Sequence, residues 1–198
     1  MTPATFQRHI YQELKLLTEQ IVQKHPNSKI DIQSEPPEPL TEEEKTFIRN
    51  KFRYLLDTSS VQFYDKVIKT NVVRPDLVIQ KQHEDRTSVI ILDSKHYNSK
   101  SKQSSLPIGQ QILINSSITT RNEVSIYEVV KLYRDMHAFK TRTGIAPIGG
   151  LILSPSTILS YTAKMLVKDL NLLVFKVTRR KGSMETVKKS FTQLILDK

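Results

Sequence analysis

The sequence predicts an α/β fold, a central mixed β-sheet flanked by helices on both faces. Apolar residues recur at helical spacing near both ends of the chain and in segments between them. Short runs rich in Val, Ile and Leu, each bounded by turn residues, lie among those segments. The resulting order is helix, helix, three strands, helix, strand, helix, strand, helix, which calls for a sheet with helices packed on each side. A chain of 198 residues suits one domain with a real core, whereas two full domains would be cramped. Within it, residues 1–40 hold an N-terminal helix and a proline-rich connector, and residues 41–198 hold the core and C-terminal elements.

Each element has its own reason. Phe6, Ile10, Leu14, Leu17 and Ile21 set the stripe of a first helix over residues 3–22. "HPNSKIDIQ" leaves room for a short strand, and "SEPPEPL" is a stiff connector because proline cannot continue a helix. "TEEEKTFIRNKFRYLLD" opens with Thr41 and Glu44 at capping-box spacing and with an acidic first turn, which the helix dipole favours. "VQFYDKVIKT", "VVRPDLVIQ" and "TSVIILDSK" read as successive strands, with "KQHEDR" turning between the last two. After the polar stretch "HYNSKSKQSSLPIG", a helical segment is expected over 109–117 and a clearer helix over 123–140, with Ile126, Val129, Val130, Tyr133 and Met136 on its stripe. "IGGLILSP" is a buried strand, "STILSYTAKMLVKDL" a helix, "NLLVFKV" a strand and "SMETVKKSFTQLIL" a final helix.

Composition narrows the function. No apolar run approaches the length of a membrane span, and the N-terminus lacks a signal peptide's apolar centre. The absence of cysteine excludes disulfides, thiolate metal sites and cysteine nucleophiles. A cytoplasmic, nucleoid-associated location is the expectation. Lys and Arg outnumber Asp and Glu by 30 to 20, for a formal charge of +10. Such a field favours a polyanion, because each neutralised phosphate releases counterions; nucleic acid leads, and an anionic membrane surface comes second.

The chemistry concentrates in "VRPDLVIQKQHEDRTSVIILDSKHY". Residues two apart on a strand share a face, so Asp93 and Lys95 point the same way, and a hairpin would bring Asp76 towards Asp93. Paired carboxylates with open positions are what a hard divalent cation such as Mg2+ requires. A lysine beside them can orient or deprotonate water and offset charge building on a phosphate, which suits phosphodiester hydrolysis. Without that chemistry, Pro75-Asp76 simply starts a strand and Asp93 and Lys95 form an exposed ion pair.

"RPD", sixteen residues, then "DSK" after an "IIL" strand resembles the motif of the PD-(D/E)XK nuclease superfamily. That superfamily includes type II restriction endonucleases, junction resolvases and transposon nicking subunits. The resemblance implies a restriction-endonuclease-like core of helix, three strands, helix, strand, the order that residues 3–153 give with one additional helix near the start. "YRDMHAFK" followed by "APIGGLILSP" is similar, more weakly, to the helix and strand after the motif in McrC-like restriction nucleases. Carried over, Asp76 and Asp93 are metal ligands, the Ser94 carbonyl is a further ligand, and Lys95 is the water-orienting lysine. Aspartate at 93, where glutamate is more frequent, is a variation the motif allows. The implied cofactor is Mg2+, with Mn2+ able to substitute.

The family often adds a glutamate from the first helix. Glu13 falls beside Phe6 and Leu17 within the apolar stripe, Glu19 falls on the solvent side, and Glu44 faces inward but is explained by its cap. Glu13 is therefore the expected fourth catalytic group, with a snorkelling edge residue as its plain alternative. The five histidines lack metal-ligand spacing, and "GIAPIGG" lacks the ending of a phosphate loop, so its glycines are assigned to a turn and to close strand packing. Gln110 and Gln111 follow the motif where related enzymes carry a polar helix near the site. Of the basic clusters, the 98–103 loop with Lys100 and Lys102 is the expected DNA grip, together with Gln111.

The expected function is a Mg2+-dependent endonuclease acting on double-stranded DNA, a restriction endonuclease or the nuclease subunit of a defence system. The alternatives are a structure-specific nuclease, such as a junction resolvase or transposon end-cutting subunit, and a non-catalytic DNA-binding protein. Cutting both strands calls for a homodimer or a partner subunit.

Overall fold

The structure, a computed structural model, describes residues 2–33, 38–58, 72–83, 86–97, 122–177 and 183–196. Helix α1 (Pro3–Lys24) leads to β1 (Ser28–Gln33), β2 (Glu38–Pro39), α2 (Glu42–Lys51), α3 (Arg53–Thr58) and β3 (Val72–Val73). The hairpin β4 (Leu77–His83) and β5 (Arg86–Lys95) follows. Next come β6 (Glu123–Val124), α4 (Ile126–Thr143), β7 (Ile148–Leu153), β8 (Ile158–Leu159), α5 (Tyr161–Asp169), β9 (Leu173–Lys176) and α6 (Ser183–Leu196).

Five strands form one mixed sheet in the order β1-β4-β5-β7-β9. β1, β4 and β5 pair antiparallel, whereas β5, β7 and β9 run parallel with α4 and α5 as the crossovers. β5 is the central strand, which is why "VIIL" is apolar without alternation: both of its faces are covered. Val78, Val89, Ile91, Leu151 and Leu153 pack on one face against α2, α4 and α5. Leu77, Ile79, Ile90, Leu92 and Ile152 pack on the other against α1 and α6. The predicted α/β architecture, a mixed sheet with helices on both faces, is the one observed.

Local signals act as the sequence implies. Thr2 caps α1 by accepting from the Thr5 N–H, with Pro3 inside the first turn. Thr41 and Glu44 make the reciprocal capping box of α2. Gly144 ends α4 at φ 76°, a left-handed conformation that suits glycine. At Gly149 a Cβ would sit 2.1 Å from Met136 Sδ and 2.7 Å from Leu172 Cδ2, so α4 can approach β7 because this position is glycine.

Several boundaries differ from expectation. The second helix is not continuous to Asp57; it breaks at Phe52, whose buried ring packs edge-on to Tyr133 of α4 with centroids 5.6 Å apart. α4 starts at Ile126 because Glu123 and Val124 pair with Ile158 and Leu159, and the same pairing delays α5 until after Ser160. The strand expected in "VQFYDKVIKT", the helical segment over 109–117 and most of the proline-rich connector lie outside the described residues. Among the described residues, the strand that pairs with β4 on the side away from β5 is β1, the short strand after α1. Lys81, on β4, is buried and donates from Nζ to the Ile195 carbonyl at 2.6 Å, fastening the C-terminal end of α6 to the sheet. No helix among the described residues is long and apolar enough to cross a membrane.

Candidate active site

The site forms where the antiparallel half of the sheet meets the parallel half. Leu77 pairs with Leu92, so one step further along the hairpin Asp76 stands opposite Asp93. The Ser94 N–H and Oγ both donate to Asp76 Oδ2, at 2.8 and 2.9 Å, and fix that carboxylate across the strands. Strand alternation puts Asp93 and Lys95 on the face of Val89 and Ile91, beneath α4. Lys95 Nζ lies 2.7 Å from Asp93 Oδ2 and 2.7 Å from Glu128 Oε2, in the first turn of α4. Asp93 is buried and Lys95 largely so, with the Lys95 and Asp93 side chains 12% and 9% exposed, and the exposed ion-pair alternative does not describe them.

The backbone that carries Lys95 is held by the turn after β7. The Ser154 N–H donates to the Lys95 carbonyl, the Tyr97 N–H donates to Thr157 Oγ1, and Ser156 Oγ donates to the Tyr97 carbonyl. Ser154 and Thr157 are fully buried and bonded to each other at 2.8 Å. A lysine anchored this way at its main chain and at its ammonium has little freedom.

The electrostatics follow from burial. Asp93 is pushed up to about 6, first by desolvation and further by the Asp76 carboxylate within hydrogen-bonding reach, against the opposing pull of Lys95. Burial works against the Lys95 charge, but Asp93 and Glu128 overcome it and raise the ammonium above its ordinary range. Lys95 is therefore a cation at any working pH, a donor rather than a base. Tyr97 is pushed up to about 12, by burial and then by Glu128, and stays a neutral hydroxyl.

Asp135, two turns beyond Glu128 on α4, is buried and holds Arg134 through its Oδ1 at 2.7 Å. Burial raises its carboxyl, with Arg134 opposing and Asp93 adding. Asp135 also lines a cleft together with Pro75, Gln80, Phe139 and Arg142.

Among the described residues, no three His, Cys, Asp or Glu side chains converge as a ready metal cage. Mg2+ does not need one: it is commonly held by one or two carboxylates, with waters completing its shell. Asp76 and Asp93 supply hard oxygen donors on facing strands, and the unfavourable charge that keeps Asp93 near 6 is what a cation would relieve. The residues present fit such an ion.

Glu13 is not brought to this cluster. It lies on α1, which covers the opposite face of the sheet, and its carboxylate pairs with Lys188 of α6 at 2.6 Å. Its apolar neighbours arise because α1 buries a stripe against α6 as well as against the sheet. His96 points away from Lys95 and stacks on Phe6, while His137 stacks on Phe47 at 3.5 Å. Lys100, Lys102, Gln110 and Gln111 lie outside the described residues.

Glu128, Asp135 and Tyr97 were not anticipated. The signal for the first two was a second stripe on α4, Glu128, Leu132, Asp135 and Phe139, at the spacing of a helix face. Leu132, Asp135 and Phe139 are buried there, which makes α4 a helix covered on more than one side.

No protein-family model matches the sequence, and no curated protein matches it. Among solved structures, the chain is similar to EndoMS in a complex with double-stranded DNA, at 18% identity over 59% of this chain and 35% of that one, with a TM-score of 0.32. It is similar to apo EndoMS at 12% identity, 84% and 47% coverage and a TM-score of 0.33. A repair endonuclease from Pyrococcus abyssi gives 14% identity, 74% and 50% coverage and a TM-score of 0.32. The chain thus spans half or less of the length of each. At these identities and TM-scores the likeness carries no weight for the site or its chemistry.

Proposed function

We propose that this chain is a Mg2+-dependent endonuclease that hydrolyses phosphodiester bonds in double-stranded DNA. Within that class we favour a restriction endonuclease or the nuclease subunit of a defence system. The observation that carries the reading is the grouping of buried Asp93 with half-buried Asp76 and Lys95, two carboxylates opposite each other at the end of the hairpin and one ammonium fixed 2.7 Å from the second. Burying such charges is costly for a fold, and chemistry on a phosphate is a reason to retain them.

In this reading Asp76 and Asp93 hold Mg2+ or Mn2+, and the Ser94 carbonyl is a candidate third oxygen. Bound there, the cation would supply Lewis acidity for water and for the phosphate oxygens. Ser94 keeps Asp76 aimed across the strands. Lys95, held as a cation, donates to the scissile phosphate or the attacking water and offsets the negative charge that grows as the bond forms. Water attacks phosphorus in line, and the 3′ oxygen departs. The formal charge of +10 draws the polyanion in. A single site cuts one strand, so double-strand cleavage takes a homodimer or a partner subunit.

Incubating the protein with supercoiled plasmid in Mg2+, in EDTA, and with Lys95→Ala tests the proposal. Discrete fragments that require both metal and Lys95 are the expected result. Nicked circles would shift the reading to a structure-specific or nicking enzyme. Salt-sensitive DNA binding with no cleavage would leave a binding protein and overturn the proposal.

A further inference from the structure

Resting on that nuclease reading, we infer that Glu128 is the positioning residue for Lys95: the α4 carboxylate that keeps the ammonium in the site when Asp93 is engaged by a cation. Lys95 has two anchors of equal length, 2.7 Å to Asp93 Oδ2 and 2.7 Å to Glu128 Oε2. Asp93 cannot give its charge fully to both a divalent cation and an ammonium. Whatever takes Asp93 weakens its hold on Lys95, and Glu128 is then the anchor that remains.

Three features of the fold fit Glu128 to this role. It comes from a different element, so its position is independent of the strand that carries Asp93 and Lys95. It sits in the first turn of α4, where the positive end of the helix dipole attracts a carboxylate. Its helix is locked onto the sheet by buried Val129, Val130 and Leu132, which limits how far the carboxylate can move. The lysine is also fixed at its carbonyl by the Ser154 N–H, so loss of Glu128 would free the side chain while leaving the strand in place. The role expected of the first-helix glutamate Glu13 is not taken over; Glu128 contacts the lysine and acts through it.

The test compares Glu128→Gln, Glu128→Asp, Lys95→Ala and the Glu128→Gln/Lys95→Ala double variant, with Asp93→Asn as control. Glu128→Gln preserves size, so it guards against a simple loss of fold, which circular dichroism checks. The readouts are single-turnover cleavage, DNA affinity, and Mn2+ affinity by calorimetry without DNA. A fall in cleavage of about tenfold or more is expected for Glu128→Gln, with DNA and Mn2+ affinities within about threefold of wild type. Glu128→Asp should recover part of the rate. In the Lys95→Ala background, read on the residual cleavage left in long single-turnover incubations with excess protein, Glu128→Gln should cost less than about twofold, because it has no lysine left to position.

Additive losses in the double variant would overturn the inference, as would loss of Mn2+ binding in Glu128→Gln, which would make Glu128 a ligand. Wild-type rates in Glu128→Gln, with Asp93→Asn inactive, would remove the inference and leave the nuclease reading standing. Absence of cleavage by the wild type, or an active Asp93→Asn variant, would instead strike the nuclease reading itself.

Discussion

Replacing Asp93 by Asn should inactivate the protein and stabilise it. The carboxyl is raised from 3.8 to about 6 by burial and by Asp76. A group whose folded value lies above its unfolded one contributes stability that is complete below the unfolded value. That stability is lost as pH rises through the folded value, so the loss falls between 3.8 and about 6. At about 1.36 kcal/mol for each pH unit, the ionised carboxylate costs the metal-free fold up to about 3 kcal/mol near neutral pH. Asparagine keeps the shape and carries no charge. The change does not strand Lys95, because Glu128 still holds it at 2.7 Å.

Urea unfolding in EDTA across this pH range should therefore find Asp93→Asn equal to wild type near the acid end. Towards neutrality it should become more stable, by up to about 3 kcal/mol. Mg2+ should narrow the difference by stabilising the wild type alone. A variant less stable than wild type at neutral pH would refute the reasoning, since Asp93 would then be a stabilising partner of Lys95 and the cost of its charge a fiction.

Other expectations follow from the same structure. Glu44 behaves oppositely: burial works against its charge, but Arg142 and the Thr41 cap hold its carboxyl below the ordinary 4.5. Glu44→Ala should cost about 2 kcal/mol near neutral pH, with the loss shrinking as pH falls through the lowered value, read by urea unfolding at two pH values. Gly149→Ala must displace Met136 and Leu172 and should lower stability by about 1–3 kcal/mol without altering the m-value; a neutral result would show that these side chains move freely. Mg2+ at about a hundred times its Kd should stabilise the wild type by about 2.7 kcal/mol and Asp76→Asn far less, measured by thermal unfolding without DNA.

Much of the fold was legible because its signals are local. The α1 stripe, the Thr41–Glu44 box, the apolar run of β5 and the span of α6 each depend on neighbours a few residues away. Boundaries were less legible where a distant segment competes for the same backbone. Glu123 and Val124 would extend α4, but Ile158 and Leu159 pair with them instead. Phe52 would continue α2, but its ring is buried against α4.

The candidate site divides in the same way. The sequence alone determined that Asp93 and Lys95 share a face and that Asp76 could meet them, since strand period and hairpin order are local facts. Tertiary structure decided which helix covers that face. The choice between α1 and α4 rests on which apolar stripe fills which side of the sheet, and a glutamate's own helix position is silent about that. Glu13 therefore looked inward and meets Lys188, whereas Glu128 closes on Lys95. Burial, which raises Asp93, and the meeting of Asp93 and Glu128 that keeps Lys95 charged against burial are likewise properties of packed layers and of no single segment.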